Sequence, residues 1–385
     1  MAKYDVCIKA FIKGNLGDDL FVYTLCNRYP NKKFVICGEK AYKTCFDLVP
    51  NLSYICYDTF LNKYFFRMKK IIPRLMNKFM ELTKQKKRFQ EKGLFFKLSN
   101  QASDNVLISG YVFMEPSQGA DTKNSYYLEE KKYYDGHPYV MGCNFGPYVT
   151  EEYRKFYQEC FNKASQVSFR ENYSYNLFKG ENIMAAPDIL FAIDKTMAEP
   201  IKDKDYILVS VVDPNKDNNE AGTNVYVNSL LILLKKLIKL DKKIVLMGFC
   251  NFQGDNVINQ YLKNQLRGSD KIKIVNYPDI SASEAVGYIA GADFIVATRY
   301  HAMILGWVFG KSVLPIAYSK KMENVINDIE QDVEYTTIND ISNYDFTELA
   351  TKIVNNQTET YKIKNVEKLT YAASKHFNKL DELYK

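Results

Sequence analysis

Short apolar runs recur along this chain, separated by segments whose apolar residues return at helical spacing. Tyr4 to Ile12 reads as a strand. KGNLGDD then makes a turn, LFVYTLCNRY covers one helical face, and KKFVICG opens a second strand, which together make a βαβ start. DNVLISG (104–110) and YVMGCNFGPY (139–148) are further strands, the second ending in a Gly/Pro turn. ASQVSFRENYSYNLF (164–178) reads as a short strand, a turn and a helix, and the polar stretch between Gly110 and Gly136 as an extended loop, suited to a lid or an acceptor-facing segment. In the second half YILVSVV (206–212), KIVLMGF (243–249), KIKIVN (271–276), DFIVAT (293–298) and SVLPIAY (312–318) alternate with helical patterns such as VYVNSLLILLKKLIKL and SASEAVGYIAGA.

Strands alternating with helices predict mostly parallel, doubly wound sheets covered on both faces, an α/β fold. At 385 residues the chain exceeds one ordinary core. The polar, proline-containing stretch DKTMAEPIKDKD between Asp194 and Asp205 is the expected linker. The expected organisation is therefore an N-terminal Rossmann-like domain over 1–195, a C-terminal one over 205–335, and a mainly helical extension over 336–385. Two such domains face each other across a cleft lined by the loops at the carboxyl ends of their strands.

Composition narrows the classes. No run approaches the roughly 18 apolar residues that span a bilayer, and MAKYDVCIKAF lacks the apolar core of a signal peptide, so a cytoplasmic location is expected. The eight cysteines form no CxxC pair and sit in apolar runs, as reduced packing residues do. The formal charge of +7 suits an anionic small molecule, a phosphorylated lipid or a membrane surface as well as a nucleic acid, and the total alone does not choose. Residues 63–92 carry eleven Lys or Arg against two Glu, interleaved with Phe, Ile, Leu and Met. That basic amphipathic stretch fits either peripheral contact with an anionic membrane face or a solvated helical hairpin. No nucleic-acid motif accompanies it.

Candidate chemistry gathers at strand ends. Arg170 and Glu171 lie at one strand-to-helix junction, and Arg299 and His301 share another, where a following buried helix turns its N-terminal N–H groups toward an anion. Arg170, Arg299 and Lys321 offer cations, and the two arginines grip carboxylate or phosphate in forked geometry. His301 offers a proton near neutral pH. The glycines of GNLGDD allow close ligand approach, and Asp18 supplies a carboxylate there. No metal cage is predicted, because His137 and His376 are isolated.

The ordered set GNLGDD, GCNFGP, VSFRENYSYNLF, PDILF and TRYHAMILGWVFGKSVLPIAYSKK resembles the polysaccharide pyruvyl transferase family over roughly residues 10–330. Its most specific part is the Arg-x-His turn with the apolar helix after it, then Gly310, Pro315, Tyr318 and Lys321. The chain departs from the family at SGYVFMEPS, where many members have a glycine-rich run, and at Asn144, where a serine is common. The resemblance implies a fold similar to GT-B glycosyltransferases and transfer of a pyruvyl group from phosphoenolpyruvate to a sugar as a cyclic ketal, with no cofactor. It implies His301, Arg299 and Asp18 as catalytic, His301 being the general acid or acid/base and Asp18 or Glu171 a base or acceptor ligand. Arg170, Lys321, Glu171, Asn15, Gly17, Asn144 and Tyr318 are then substrate-binding. The implied acceptor is a sugar of a capsular or exopolysaccharide repeat, carried on a polyprenyl diphosphate at the inner membrane face.

Two other readings stay open. A GT-B-like glycosyltransferase would place a nucleotide diphosphate on the same cations and a ribose on a carboxylate such as Glu284 or Glu323. A binding member of a polysaccharide assembly system would hold phosphoenolpyruvate without turnover, or not bind it. The membrane expectation is directly testable: neutralising Lys69, Lys70, Lys86, Lys87 and Arg88 lowers binding to anionic vesicles in a sedimentation assay, and unchanged binding removes it.

Overall fold

The computed structural model describes residues 2–58, 91–213, 220–266 and 269–385. The basic stretch 63–92 lies outside the described residues except for its last two positions.

Two parallel sheets organise the molecule. The first contains β1 (Tyr4–Lys9), β2 (Phe34–Gly38), β3 (Leu52–Cys56), β4 (Ala102–Ile108), β5 (Tyr111–Phe113), β6 (Tyr139–Phe145), β7 (Gln166–Phe169) and β8 (Ile183–Ala185). Its order is β3-β2-β1-β4-β6-β7-β8, with β5 beside β6. The second contains β9 (Tyr206–Ser210), β10 (Lys243–Gly248), β11 (Ile272–Asn276), β12 (Phe294–Ala297), β13 (Ser312–Ala317) and β14 (Thr336–Thr337), ordered β11-β10-β9-β12-β13-β14. Strands such as FVICG and YILVS are buried at every position, which is why they read as continuous apolar runs rather than alternating ones.

Three helices place the functional loops. Helix α1 (Leu16–Arg28) follows β1; Asn15 caps it by accepting from the Gly17 N–H at 3.1 Å, and every residue from Leu16 to Cys26 is buried. Helix α2 (Tyr300–Val308) follows β12, and helix α3 (Lys320–Asp328) follows β13. One apolar core runs from Leu20 and Phe21 of α1 through Met303 and Leu305 of α2, so the two domains share a packed interface.

Several elements differ from the sequence expectation. The stretch between Gly110 and Gly136 is not one loop: it begins with β5 and contains a helix, Ser125–Tyr134, capped by Asn124. That helix buries Tyr127, Tyr133 and Tyr134, and tyrosines with a polar tip hide an apolar face among charged neighbours. Glu115 ties the same stretch down by accepting from the Thr150 hydroxyl at 2.6 Å and the Ala120 N–H at 2.9 Å. The span from residue 336 opens with the two-residue strand β14 rather than with a helix. Among the described residues no helix is long and apolar enough to cross a membrane, and all eight cysteines are free thiols.

The region after residue 360 crosses back to the N-terminal domain. Asp381, in the helix Asn378–Tyr384, accepts from Arg28 Nε at 2.9 Å and from the Tyr29 hydroxyl at 2.7 Å, and Tyr384 donates to Asp104 at 2.5 Å. Burial alone would raise the Asp381 carboxyl, but the Arg28 and Tyr29 bonds hold it below the usual range. A depressed carboxyl stabilises the fold above its unfolded-state pKa and loses that contribution as pH falls through its folded value. Asp381→Ala should therefore cost about 2–3 kcal/mol at pH 7, as for hydrogen bonds to a charged group. Urea denaturation checks this, and the gap from wild type closes as pH is lowered through the depressed value.

Candidate active site

A doubly wound sheet binds its ligand where the strand order reverses, outside the carboxyl ends of the strands. The reversal lies between β1 and β4 in one sheet and between β9 and β12 in the other, and residues that follow all four strands line one cleft. The cleft between them measures about 990 Å³. Asn15 and Asp18 enter it after β1, Gly110 after β4, Asp213 after β9, and Arg299, Tyr300 and His301 after β12; Arg170, Tyr318 and Lys321 also line it.

Each arginine is held by a carboxylate. Arg170 donates from Nη1 to Asp188 at 2.9 Å and from Nε to the Asn144 amide oxygen at 2.5 Å, and lies over the Tyr300 ring at 4.2 Å. The Tyr300 hydroxyl closes the circuit by donating to Asp188 at 3.1 Å. Burial opposes the Arg170 charge, yet Tyr300, Asp188 and Asp18 more than offset it and the guanidinium is held firmly protonated. Asp188, fully buried, is kept below the usual carboxylate range by Arg170 in spite of desolvation. Arg299 makes a forked pair with Asp255, donating from Nε at 2.9 Å and from Nη2, and also donates to Gln253. The cations are thus pre-set in direction before any ligand arrives, which removes reorganisation from binding.

His301 sits between them. Arg170 Nη1 approaches its Nε2 at 3.3 Å, and because arginine only donates, Nε2 is the accepting nitrogen. Burial lowers the imidazole pKa to about 3, with Arg170 and Arg299 adding to the effect and Asp188 opposing it. The ring packs against the first turn of α1, where a Cβ on Gly17 would land on the imidazole. Gly17 is therefore a close-approach glycine for His301. Across from it Asp18 accepts from Ser109 at 3.3 Å; burial pushes its carboxyl up to about 6, with Arg170 and the Ser109 bond pulling the other way. The free protein therefore holds in one cleft a neutral imidazole and a carboxyl that keeps its proton into the weakly acid range. His301, expected as general acid or acid/base, and Asp18, expected as a base or acceptor ligand, are thus shifted in opposite directions by the same burial.

The remaining expected residues divide. Lys321 lines the cleft with its pKa lowered to about 7, by burial first and by Arg170 next, so it loses charge near neutrality. Tyr318 reaches the cleft, its phenol raised by burial. Asn15 lines it too, and its loop bonds to the other domain through Leu16 N–H to the Phe249 carbonyl at 3.0 Å. Asn144 orients Arg170 from behind. Glu171 accepts from Ser174 at 2.6 Å and from Asn324 of α3 at 2.9 Å, a tie between the domains, and its charge acts on Lys321 of the cleft. Of the two carboxylates considered for a ribose, Glu323 lines the cleft while Glu284 sits in the first turn of the helix Ala282–Gly291.

Asp188, Asp255 and Tyr300 carry the site's geometry and were not singled out from sequence. Asp188 stands at a Pro-Asp turn in the sequence, and nothing there marks Asp255; their arginine partners lie 18 and 44 residues away. Tyr300 lies inside the Arg-x-His motif and its position was the one available signal. No group of three or more His, Cys, Asp or Glu side chains that could hold a metal ion occurs among the described residues.

Comparison with known proteins adds a family and a fold. The family model "polysaccharide pyruvyl transferase" matches residues 15–320. No curated protein sequence matches the chain. Among solved structures, UDP-GlcNAc 2-epimerase from Neisseria meningitidis, bound to UDP-GlcNAc, is similar with TM-score 0.56 and 10% identity, covering 98% of this chain and 99% of that one. Alr3699/HepE from Anabaena in complex with UDP has TM-score 0.53 at 10% identity, over 99% of both chains. The glycotransferase of kitacinnamycin has TM-score 0.51 at 8% identity, over 100% of this chain and 99% of that one. At such identity these likenesses establish a GT-B-like fold and nothing of the reaction.

The Gly17 contact gives a clean test. Gly17→Ala should displace the His301 ring and cost about 1–3 kcal/mol, the range for overpacking a close contact. Thermal unfolding reads the cost and the His301 imidazole NMR signals read the displacement; unchanged signals would sink the assigned contact.

Proposed function

The chain belongs to the polysaccharide pyruvyl transferase family, and from that premise we propose that it moves the pyruvyl group of phosphoenolpyruvate onto a sugar of a lipid-linked capsular or exopolysaccharide repeat. The observation that carries this is the pair of carboxylate-set arginines flanking a neutral, buried histidine in one cleft. Phosphoenolpyruvate bears a phosphate and a carboxylate within a few bonds, and Arg170 and Arg299 come to the cleft from opposite domains to meet two such anions. Lys321, poised near neutrality, gains charge as the anions arrive.

The chemistry balances on the chain's own groups. Protonation of the donor's methylene carbon makes an oxocarbenium centre at the adjacent carbon, which one sugar hydroxyl attacks. Departure of phosphate regenerates that centre and the second hydroxyl closes the ketal. Of the two hydroxyl protons lost, one balances the proton now in the methyl group and the other leaves with phosphate. Asp18, protonated up to about pH 6, is the donor of the first proton, and the neutral His301 accepts one from a hydroxyl. His301 thus takes the base half of its expected acid/base role, and Asp18 the acid's part in place of a base or acceptor ligand. As anions bind, the imidazolium so formed is stabilised between them. The phosphate's negative charge is met by fixed guanidinium groups, so the scheme proceeds with the protein's own cations.

A nucleotide-sugar glycosyltransferase is the competing use of the same cleft, and Glu323 is the carboxylate it would use on a ribose. Calorimetry decides between them. Phosphoenolpyruvate should bind the wild type and lose at least tenfold in affinity in Arg299→Ala, and binding of a nucleotide sugar in its place would overturn the proposal. Asp18→Asn should keep phosphoenolpyruvate affinity within about threefold while kcat falls on the order of 10²–10³-fold, the range for loss of a general acid. In the wild type kcat should fall as pH rises above about 6, where Asp18 loses its proton; that limb should be absent in Asp18→Asn.

A further inference from the structure

His376 takes no part in the scheme above and does not line the cleft. It is carried by the short segment Lys375–Phe377 between the two helices that return to the N-terminal domain, and it is only 1% exposed. Both ring nitrogens are engaged. Nε2 lies 2.7 Å from the Pro187 carbonyl oxygen, and Nδ1 lies 2.8 Å from the Ser168 hydroxyl. A carbonyl only accepts, so Nε2 carries the hydrogen and Nδ1 accepts from Ser168. The backbone joins in, with Gln166 donating its side-chain amide to the His376 carbonyl at 2.8 Å.

The two segments gripped by this one ring are the two that bear the buried ion pair of the cleft. Pro187 immediately precedes Asp188, and Ser168 lies two residues before Arg170 on the end of β7. The imidazole therefore spans the backbones on either side of the Arg170–Asp188 pair from behind. Burial keeps the ring neutral, with its pKa lowered to about 4, so it braces without adding charge beside Asp188. A guanidinium gripping a small dianion tolerates little displacement, since misplacement by about 1 Å can cost on the order of 10²-fold in rate.

We propose that His376 is a positioning residue for the donor anion: it fixes the spacing of the Ser168 and Pro187 backbones and through them the direction of the Arg170 guanidinium. The inference rests on the reading of the cleft as a phosphoenolpyruvate site. It extends the functional unit into the returning C-terminal segment, which belongs to neither strand-end loop set.

The test uses the full chain with three variants. His376→Leu removes both contacts. His376→Gln can keep a donor toward Pro187, and His376→Asn can keep an acceptor toward Ser168. Phosphoenolpyruvate affinity and KM should worsen about tenfold in His376→Leu and recover to within about threefold in His376→Gln, with kcat at saturation changed less than KM. The second readout needs no ligand: the Arg170 Nε–H resonance, assigned by its loss in Arg170→Lys, should broaden or shift in His376→Leu and return in His376→Gln. A purely structural role predicts a lower unfolding temperature with wild-type KM and an unchanged Arg170 resonance, and that result overturns the proposal. If His376→Leu does not fold, His376→Asn takes its place with the same two outcomes. If the wild type binds no phosphoenolpyruvate, the donor reading fails by itself, and the Arg170 resonance alone decides for or against positioning.

Discussion

Everything at the cleft depends on a buried guanidinium that two domains hold at once. Arg170 leaves the end of β7 in the N-terminal domain and meets Asp188 and Asn144 of that same domain, while Tyr300 and His301 reach it from the C-terminal domain. A lone buried charge would be untenable, and removing one partner of such a pair typically costs about 3–5 kcal/mol. Asp188 pairs the charge within its own domain, and the approach of the second sheet adds the Tyr300 ring face and an accepting nitrogen of His301, so the domain interface is built around an already paired guanidinium.

Burial then sets the proton inventory. Desolvation acts on every ionisable group in the cleft, but with opposite sign on acids and bases. It raises Asp18 to about 6 and lowers His301 to about 3, which inverts the usual order of a carboxylic acid and an imidazole. Lys321 moves toward neutrality by the same cause. The pattern follows from burial: the more solvent the packed domains exclude, the further these values separate.

The fold was legible because parallel strands buried on both faces announce themselves as apolar runs, and the runs of the second half coincide with β9 to β13. The short strands β3, β5, β8 and β14 were not, since each is defined by its neighbour in a sheet rather than by its own residues. The site was half legible. Arg299, His301, Arg170 and Asp18 stood at strand ends, and the structure gathers them. The carboxylates that aim the arginines did not stand out, because Asp188 and Asp255 acquire meaning only through partners distant in sequence. Glu171 shows how a strand-end position leaves partners unread: Ser174 and Asn324 engage it and tie the two domains, which the sequence did not indicate. Charge states were illegible altogether, since they come from solvent exclusion.

The returning helices bear on how the molecule comes into being. Every residue that lines the cleft is numbered before Val366, where the first helix of the return begins. A ribosome therefore delivers the strand-end loops, both arginines and their carboxylates before it delivers Asp381, which fastens Arg28 and Tyr29 from the far side of the molecule. During synthesis the two halves of the cleft exist while the clasp across their backs does not. Direction of translation thus separates possession of the reactive groups from their fastening, and a chain halted between residues 340 and 365 would own the whole chemical inventory of the cleft without the bond that closes it from behind.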